Sequence, residues 1–237
     1  MSQENKMARD FFDKQASETY DQRIKPIAPS IDNLHFLIRL ILKDLPSDAH
    51  ILCVGVGTGT EILELAHTFP SWRFTGIDPS ASMLDVCRKR LQQSGLLTRC
   101  ELRHGYLSDL PMIEQFDAIL CLLVAHFIKD SQERQALFNG MAARLKVAGY
   151  VIHAEISYDL SGDEFPDIGE KWKALHRAAG ASEERVANIL KTLQEDVAVL
   201  PPASTEHLFR SSGLPMPIPF FQSLLIRAWY AQKMQNR

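Results

Sequence analysis

Three glycines in strict alternation, Gly55, Gly57 and Gly59, sit inside HILCVGVGTGTEILELA (residues 50–66), where an apolar run passes into a helix start. Glycine has no Cβ, so it accepts positive φ and lets a ligand lie on bare backbone. The helix start beyond it offers N–H groups with no intrahelical partner. A turn built for structure alone seldom needs three such residues. A dinucleotide fingerprint would require glycine at position 60, where Thr60 stands, and a phosphate loop would require Gly-Lys-Ser/Thr, which is absent. Asp78 follows about 20 residues later, at the end of the next apolar run, where a carboxylate accepts hydrogen bonds from both ribose hydroxyls and discourages a 2′-phosphate. The competing role for Asp78 is an N-cap, since Asp-Pro-Ser commonly opens a helix, although Ser80 can cap instead. Loop and acid together point to a nucleoside-type cofactor.

The rest of the composition narrows the class. A net charge of -3, with Lys and Arg spread along the chain, gives no footprint for nucleic acid. Cys53, Cys87, Cys100 and Cys121 form no Cys-x-x-Cys pair and have no clustered histidines, so neither a metal site nor a disulfide framework is expected. They read as reduced core thiols of a cytoplasmic protein. MSQENKMARDFFDK lacks an apolar signal core, and no apolar run reaches spanning length, so no membrane partner is expected. At 237 residues and 46% hydrophobic content, one compact domain is the simplest organisation.

The elements that must hold the loop and the acid follow in order. Apolar residues at helical spacing predict a first helix over residues 8–24, where Tyr20 and Arg23 either face a ligand or belong to an ordinary amphipathic surface. After the link IKPIAPS, a second helix is expected over about residues 31–45, closed by Pro46. ILCVGV is then a strand buried on both faces, and Thr60 opens a helix to Phe69. WRFTGID is a second strand and residues 81–93 a second helix in this region. CELRH is a third strand, FDAILCLLVAHFI a fourth with its loop, residues 132–145 a helix, and YVIHAEIS a fifth strand after a turn at Gly149. This alternation predicts an α/β fold with a doubly wound, mostly parallel sheet. Beyond Ser157 two helical stretches, residues 168–179 and 183–199, follow each other without a strand and predict a helical cap at the ligand-binding end of the sheet. A helix over 205–212 leads to two strands, 216–222 and 225–232, whose short connection forces one of them antiparallel. The expected division is an N-terminal helical cap segment (1–47), a cofactor-binding core (48–157 and 205–237) and an inserted helical lid (158–204).

ILCVGVGTG, GIDPSASML, FDAILCLLVAHFI and LKVAGYVIHAEIS, in this order and spacing, resemble the class I S-adenosylmethionine-dependent methyltransferases over residues 48–157. The resemblance implies a Rossmann-like, seven-stranded sheet ending in an antiparallel hairpin. It implies S-adenosyl-L-methionine as cofactor, with Gly55, Gly57 and Gly59 along its methionine half and Asp78 on its ribose. Ser82, Met83, Tyr106 and Leu107 would border the adenine, and Cys121 and Leu122 would lie beneath the sulfonium. Tyr20 completes the expected cofactor-binding set. Two positions depart from the pattern. Cys53 stands where the family usually has Asp or Glu, and Tyr106 where it often has Asp, so the cofactor's ammonium and adenine amine are left to other partners. The N-terminal helices, the cap and GLPMPIPFFQSLLIRAWYAQK also resemble, more weakly, the carboxy-S-adenosylmethionine synthase family. That family holds an extra carboxylate with an arginine after the helical insert, and the corresponding DVAVLPPAS has none, Arg185 and Arg210 being displaced.

Methyl transfer needs a nucleophile positioned near the methyl and water kept out. His126, just past the fourth strand, is the candidate general base, against a packing role in its loop. Glu155 is the candidate for orienting the acceptor, against pairing with a nearby helix. His153 is read as pointing away from Glu155 and structural. Trp172 and His176, four apart on one helix face, either wall an acceptor pocket or pack the cap. The expected function is methyl transfer to a small-molecule acceptor. Carboxy-type group transfer and a non-catalytic cofactor-binding protein are the alternatives, and the quaternary state leaves room for a homodimer.

Overall fold

A parallel strand covered by helices on both sides has no solvent face, and its sequence shows it as an unbroken apolar run. In the computed structural model, which describes residues 28–235, three central strands are covered in this way, although polar residues interrupt the runs of two of them. They are β1 (His50–Val54), β2 (Arg73–Asp78) and β4 (Phe116–Leu122), each buried at all but one position. β3 (Cys100–His104) is at least partly exposed at every position because it lies at one edge. With β5 (Leu145–Ile156), β6 (Ile218–Ser223) and β7 (Ile226–Gln232) these form one seven-stranded sheet in the order β3-β2-β1-β4-β5-β7-β6. β1 through β5 pair in parallel, and β7 runs antiparallel to both of its neighbours. The doubly wound sheet and its reversed C-terminal strand are those expected.

Helices cover both faces. On one, α1 (Ala28–Leu42), α2 (Thr60–Thr68) and α3 (Ala81–Gln93) bury Ile38, Leu42, Ile62 and Leu91 against Ile51, Phe74 and Leu120. On the other, α4 (Ser131–Arg144) and α7 (Pro202–Ser211) place Phe138, Met141 and Phe209 over Leu52, Ile119 and Trp229. The cap helices α5 (Phe165–Ala178) and α6 (Glu183–Glu195) form a third apolar cluster, in which Trp172, Ile189 and Leu193 sit on Leu225 and Ile226. No described helix is long and apolar enough to cross a membrane. The four cysteines are free; Cys53, Cys87 and Cys121 are buried and Cys100 is partly exposed.

Three helices begin three residues earlier than their apolar periodicity indicates: α1 at Ala28, α5 at Phe165 and α7 at Pro202. Each has proline in its first turn, Pro29, Pro166 and Pro202, where a missing N–H breaks no helical bond and a fixed φ suits the start. α1 also stops at Leu42, with Leu45 N donating to Leu42 O at 3.0 Å, and α6 ends at Glu195. The last two strands are joined through Leu224 and Leu225, with Leu224 at φ 50°.

The expected turn at Gly149 is instead part of β5. Register against β4 jumps from Phe116↔Leu145 to Ala118↔Tyr150, and the residue at positive φ is Ala148, not Gly149. Gly149 is needed because backbones approach closely there: a Cβ would lie 2.7 Å from Asp117 O and 3.0 Å from Lys146 O. Gly149→Ala should therefore lower the unfolding free energy by about 1–3 kcal/mol, read as a lower urea midpoint at unchanged slope.

Candidate functional site

The loop from β1 to α2 is left-handed at all three glycines, with φ of 66° at Gly55, 52° at Gly57 and 80° at Gly59. A Cβ at Gly55 would lie 2.4 Å from Val124 Cγ2, and one at Gly59 2.5 Å from Cys87 Sγ, so both are closed by packing. Among the described residues, a Cβ at Gly57 would meet nothing nearer than Gly55 O at 4.0 Å. Gly57 is thus where bare backbone faces open space. That space is a cleft between the glycine loop, His35 and Leu34 of α1, Thr60 and Glu61 of α2, and Leu122 and Leu123 after β4.

Asp78 fastens the loop to the next strand. Gly55 N and Val56 N donate to Ile77 O at 2.8 and 3.1 Å, and Gly57 N donates to Asp78 Oδ2 at 2.9 Å. The other oxygen, Oδ1, accepts from Ser80 N at 2.8 Å. The N-cap of α3 is Ser80, whose Oγ accepts from Met83 N, so Asp78 is not used as that cap. Burial pushes the Asp78 carboxyl up, against the two backbone donors that pull it down, and the balance is upward.

The edge next to β3 brings further expected residues to the same end of the sheet. Gly105 N donates to Asp78 O at 3.0 Å, which places the Tyr106 turn beside the acid. Tyr106 N donates to Asp109 Oδ2 at 2.7 Å. Ser82 Oγ lies 3.0 Å from Ser80 Oγ, and Met83 is buried next to it in α3. Leu107 is turned into the core under α4, within reach of Gly140. Cys121 and Leu122 part company, because successive residues of a strand face opposite sides. Leu122 lines the cleft, whereas Cys121 is fully buried in the layer under α4, its thiol pushed up to about 12 mainly by that burial. Tyr20 lies outside the described residues.

The two expected catalytic side chains lie elsewhere. Glu155 is 0% exposed, and both its oxygens are taken: Arg134 Nη2 donates to Oε2, and Thr205 Oγ1 donates to Oε1 at 2.5 Å. His153 Nε2 is 3.2 Å from Oε2, off the line of a hydrogen bond. His153 therefore points toward Glu155, not away, as residues two apart on a strand must. Burial alone would raise the Glu155 carboxyl, but His153, Arg134 and Thr205 outweigh it and hold it at about 2. A carboxylate so enclosed pairs with α4 and α7 and is closed to an acceptor. His126, in the short 3-10 turn Ala125–Phe127, is also buried. Its Nδ1 accepts from Ile156 N at 3.4 Å, its carbonyl accepts from Ala198 N at 2.7 Å, and burial lowers its pKa to about 4. The imidazole is neutral, a poor base, and absent from the cleft lining.

Two cleft residues escaped the sequence reading. Glu61 is an acid in the first turn of α2, which ordinarily means only a favourable charge at a helix N-terminus. Here burial, reinforced by Asp78 and opposed by its own N–H and by Arg90, raises its carboxyl to about 7. His35 is 6% exposed, and its Nδ1 has no hydrogen-bond partner among the described residues. The signal for His35 was the helical spacing of Ile31, His35, Ile38 and Leu42, which puts it on the buried face of α1.

Residues 51–149 match a family model described as Methyltransferase domain. Among curated proteins, an uncharacterised protein of Synechococcus sp. is 35% identical over 107 residues, covering 45% of this chain and 26% of its own length. The carboxy-S-adenosyl-L-methionine synthase of Campylobacter jejuni subsp. doylei is 27% identical over 153 residues, covering 61% of this chain and 60% of the relative. The chain thus spans less than two thirds of either. Among solved structures, the magnesium protoporphyrin IX methyltransferase of Synechocystis PCC 6803 with bound S-adenosylmethionine superposes with a TM-score of 0.68 at 13% identity, over 97% of each chain. At that identity the likeness is one of fold.

The Glu155 network has a defined pH signature. Its folded pKa of about 2 lies below the unfolded value, so the unfolded chain takes up the proton first as pH falls. Its contribution is complete above about pH 4.3 and is lost as pH drops through about 2. Glu155→Gln leaves Arg134 buried beside a neutral group, and should cost about 3–5 kcal/mol at pH 7 by denaturant titration. The gap from wild type should narrow below pH 4 or so.

Proposed function

We propose that this chain, whose residues 51–149 match a methyltransferase domain, is an S-adenosylmethionine-dependent methyltransferase of the cytoplasm acting on a small-molecule acceptor. The observation that carries the reading is the pairing of Gly57 with Asp78. Bare backbone at positive φ faces an open cleft, and a carboxylate tethered to that backbone at 2.9 Å ends the adjacent strand. The residues fit the cofactor: its methionine half along Gly55–Gly57, its ribose at Asp78, and its adenine between Ser82–Met83 and the Tyr106 turn. When bound, the cofactor supplies an electrophilic methyl on a sulfonium.

The chain's own residues orient and enclose the reactants. Leu122 and Leu123 form an apolar wall at the end of β4, and Leu123 also packs against the Trp172 cluster of the cap. An acceptor entering under α5 and α6 therefore reaches the cleft past Leu123, with water displaced by apolar side chains. His126 and Glu155 serve this geometry by holding the cap: His126 through Ala198, and Glu155 through Arg134, whose Nη1 donates to Ala198 O at 2.6 Å. Catalysis is then by positioning, without a general base from either residue.

The carboxy-S-adenosylmethionine synthase relative supports a second reading, carboxy-type group transfer. Against it, the segment after the insert has no arginine, and Arg134, which reaches that segment, is committed to Glu155. Mass spectrometry of the ligand that copurifies separates the two, since ordinary and carboxylated cofactors differ in mass. Calorimetry tests the site itself. Asp78→Ala should weaken S-adenosylhomocysteine binding by about 1.5–3 kcal/mol, the worth of hydrogen bonds to a charged group. Unchanged affinity would remove Asp78 from the ribose, and tighter binding of NAD would overturn the cofactor assignment.

A further inference from the structure

Cys53 leaves the cleft without the carboxylate that its sequence pattern would supply on β1. Its thiol is fully buried, and burial above all raises its pKa well above the ordinary value, so it carries no charge to offer a cation. Glu61 is the next carboxylate in the chain, it lines the cleft beside Gly55–Thr58, and it forms no ion pair among the described residues. Its charge acts on Cys53 and Cys87, which places it over the β1 end where the missing acid would act. Across the cleft stands His35, 6% exposed, with a buried Nδ1 that lacks a partner among the described residues. An unpaired buried polar atom calls for a partner, and one that borders an open cleft can find it in a ligand atom.

We propose that Glu61 receives the α-ammonium of the cofactor's amino-acid end, in place of the acid absent at Cys53, and that His35 Nδ1–H donates to the adjoining α-carboxylate. The assignment rests on the reading of the cleft as an S-adenosylmethionine site and adds two residues that fix which end of the ligand enters it. A zwitterion suits this pair, with an acid for its cation and a neutral imidazole donor for its anion. A ligand lacking the amino-acid end would leave both groups unused.

Proton release follows from the surroundings of Glu61. Facing it are Asp78 of β2, Arg90 and Cys87 of α3, Cys53 of β1, Cys121 of β4 and, across the cleft, His35 of α1. The thiols lie far above neutrality, at about 12 for Cys87 and Cys121, and burial lowers His35, so it is neutral. The Glu61 carboxyl itself sits at about 7 in the free protein, raised chiefly by burial. An arriving ammonium favours its charged form, so binding just below that pH expels a proton.

The test compares S-adenosylhomocysteine with 5′-methylthioadenosine, which carries the same nucleoside without the amino acid, by calorimetry on the ligand-stripped full chain. Glu61→Gln should weaken S-adenosylhomocysteine roughly 10- to 100-fold and leave methylthioadenosine unchanged, the latter proving the fold and the nucleoside site intact. His35→Leu should act in the same direction on the same ligand. Just below pH 7 the wild type should release protons on binding S-adenosylhomocysteine, measured in buffers of different ionisation enthalpy, and Glu61→Gln should not. Equal losses for both ligands, or unchanged S-adenosylhomocysteine affinity in Glu61→Gln, would overturn the assignment while leaving the cofactor reading in place. A wild type that binds neither ligand would overturn that reading, and this assignment with it.

Discussion

The hydrogen bond from Gly57 N–H to Asp78 Oδ2 is the constraint on which the site depends. It requires the glycine loop to fold back toward β2, which the left-handed φ at Gly55, Gly57 and Gly59 allows and which the bonds to Ile77 O complete. It also requires parallel registry of β1 and β2, since Val54 must stand level with Ile77 for the loop to reach the acid. A parallel sheet brings all its strand ends to one edge, and that edge collects N–H groups and carboxylates from residues distant in sequence. Burial of Asp78 raises the cost of its charge, and the Gly57 and Ser80 donors offset it. A carboxylate poised in this way retains capacity for further donors.

A second constraint fixes the cap. Arg134 and Glu155 are almost completely buried, an arrangement that is costly unless every lone pair and proton finds a partner. Thr205 on Glu155 and Ala198 O on Arg134 meet most of that need, only Arg134 Nε being left without a hydrogen-bond partner among the described residues, and Ala198 belongs to the segment leaving α6. Ser157 Oγ donates to Leu200 O at 2.8 Å and Lys129 Nζ to Glu195 O at 2.6 Å in the same region. The end of the cap is therefore pinned to the core by polar contacts, while its apolar face rests on Leu225, Ile226 and Leu123. Because Leu123 also lines the cleft, the same side chain takes part in both the cap's packing and the cleft's wall.

Most of the architecture was legible because the strong signals were local. Apolar runs marked β1 and β4, the spacing of strands and helices marked β2, and glycine alternation with Asp78 marked the loop. What the sequence hid was three-dimensional. Proline reads as a breaker unless its place in the first turn is known, which displaced the starts of α1, α5 and α7. Gly149 looked like a turn because its real constraint, the nearness of Asp117 O, comes from another strand. Glu155 at a strand end resembles a catalytic acid in any one-dimensional view, and only the arrival of Arg134 and Thr205 from two helices shows it to be structural. His153 was misread by a simpler error of parity, since positions two apart share a face.

The distribution of charge around the cleft argues for how such a site works. Its thiols and His126 are held neutral by burial, and Glu155 is enclosed by its partners, so none of them offers a proton acceptor at the reacting end. The acids that remain near the cleft are Asp78, bonded to Gly57 N, and Glu61, while Leu122 and Leu123 give the cleft an apolar wall. An acceptor that must first lose a proton gains nothing from that wall, whereas one that is already nucleophilic, or loses its proton to solvent after transfer, gains desolvation and orientation. The meeting of polar loops and an apolar wall in one cleft follows from a single feature of the sheet: adjacent strands deliver polar loops at β1 and β2, and a leucine pair at β4.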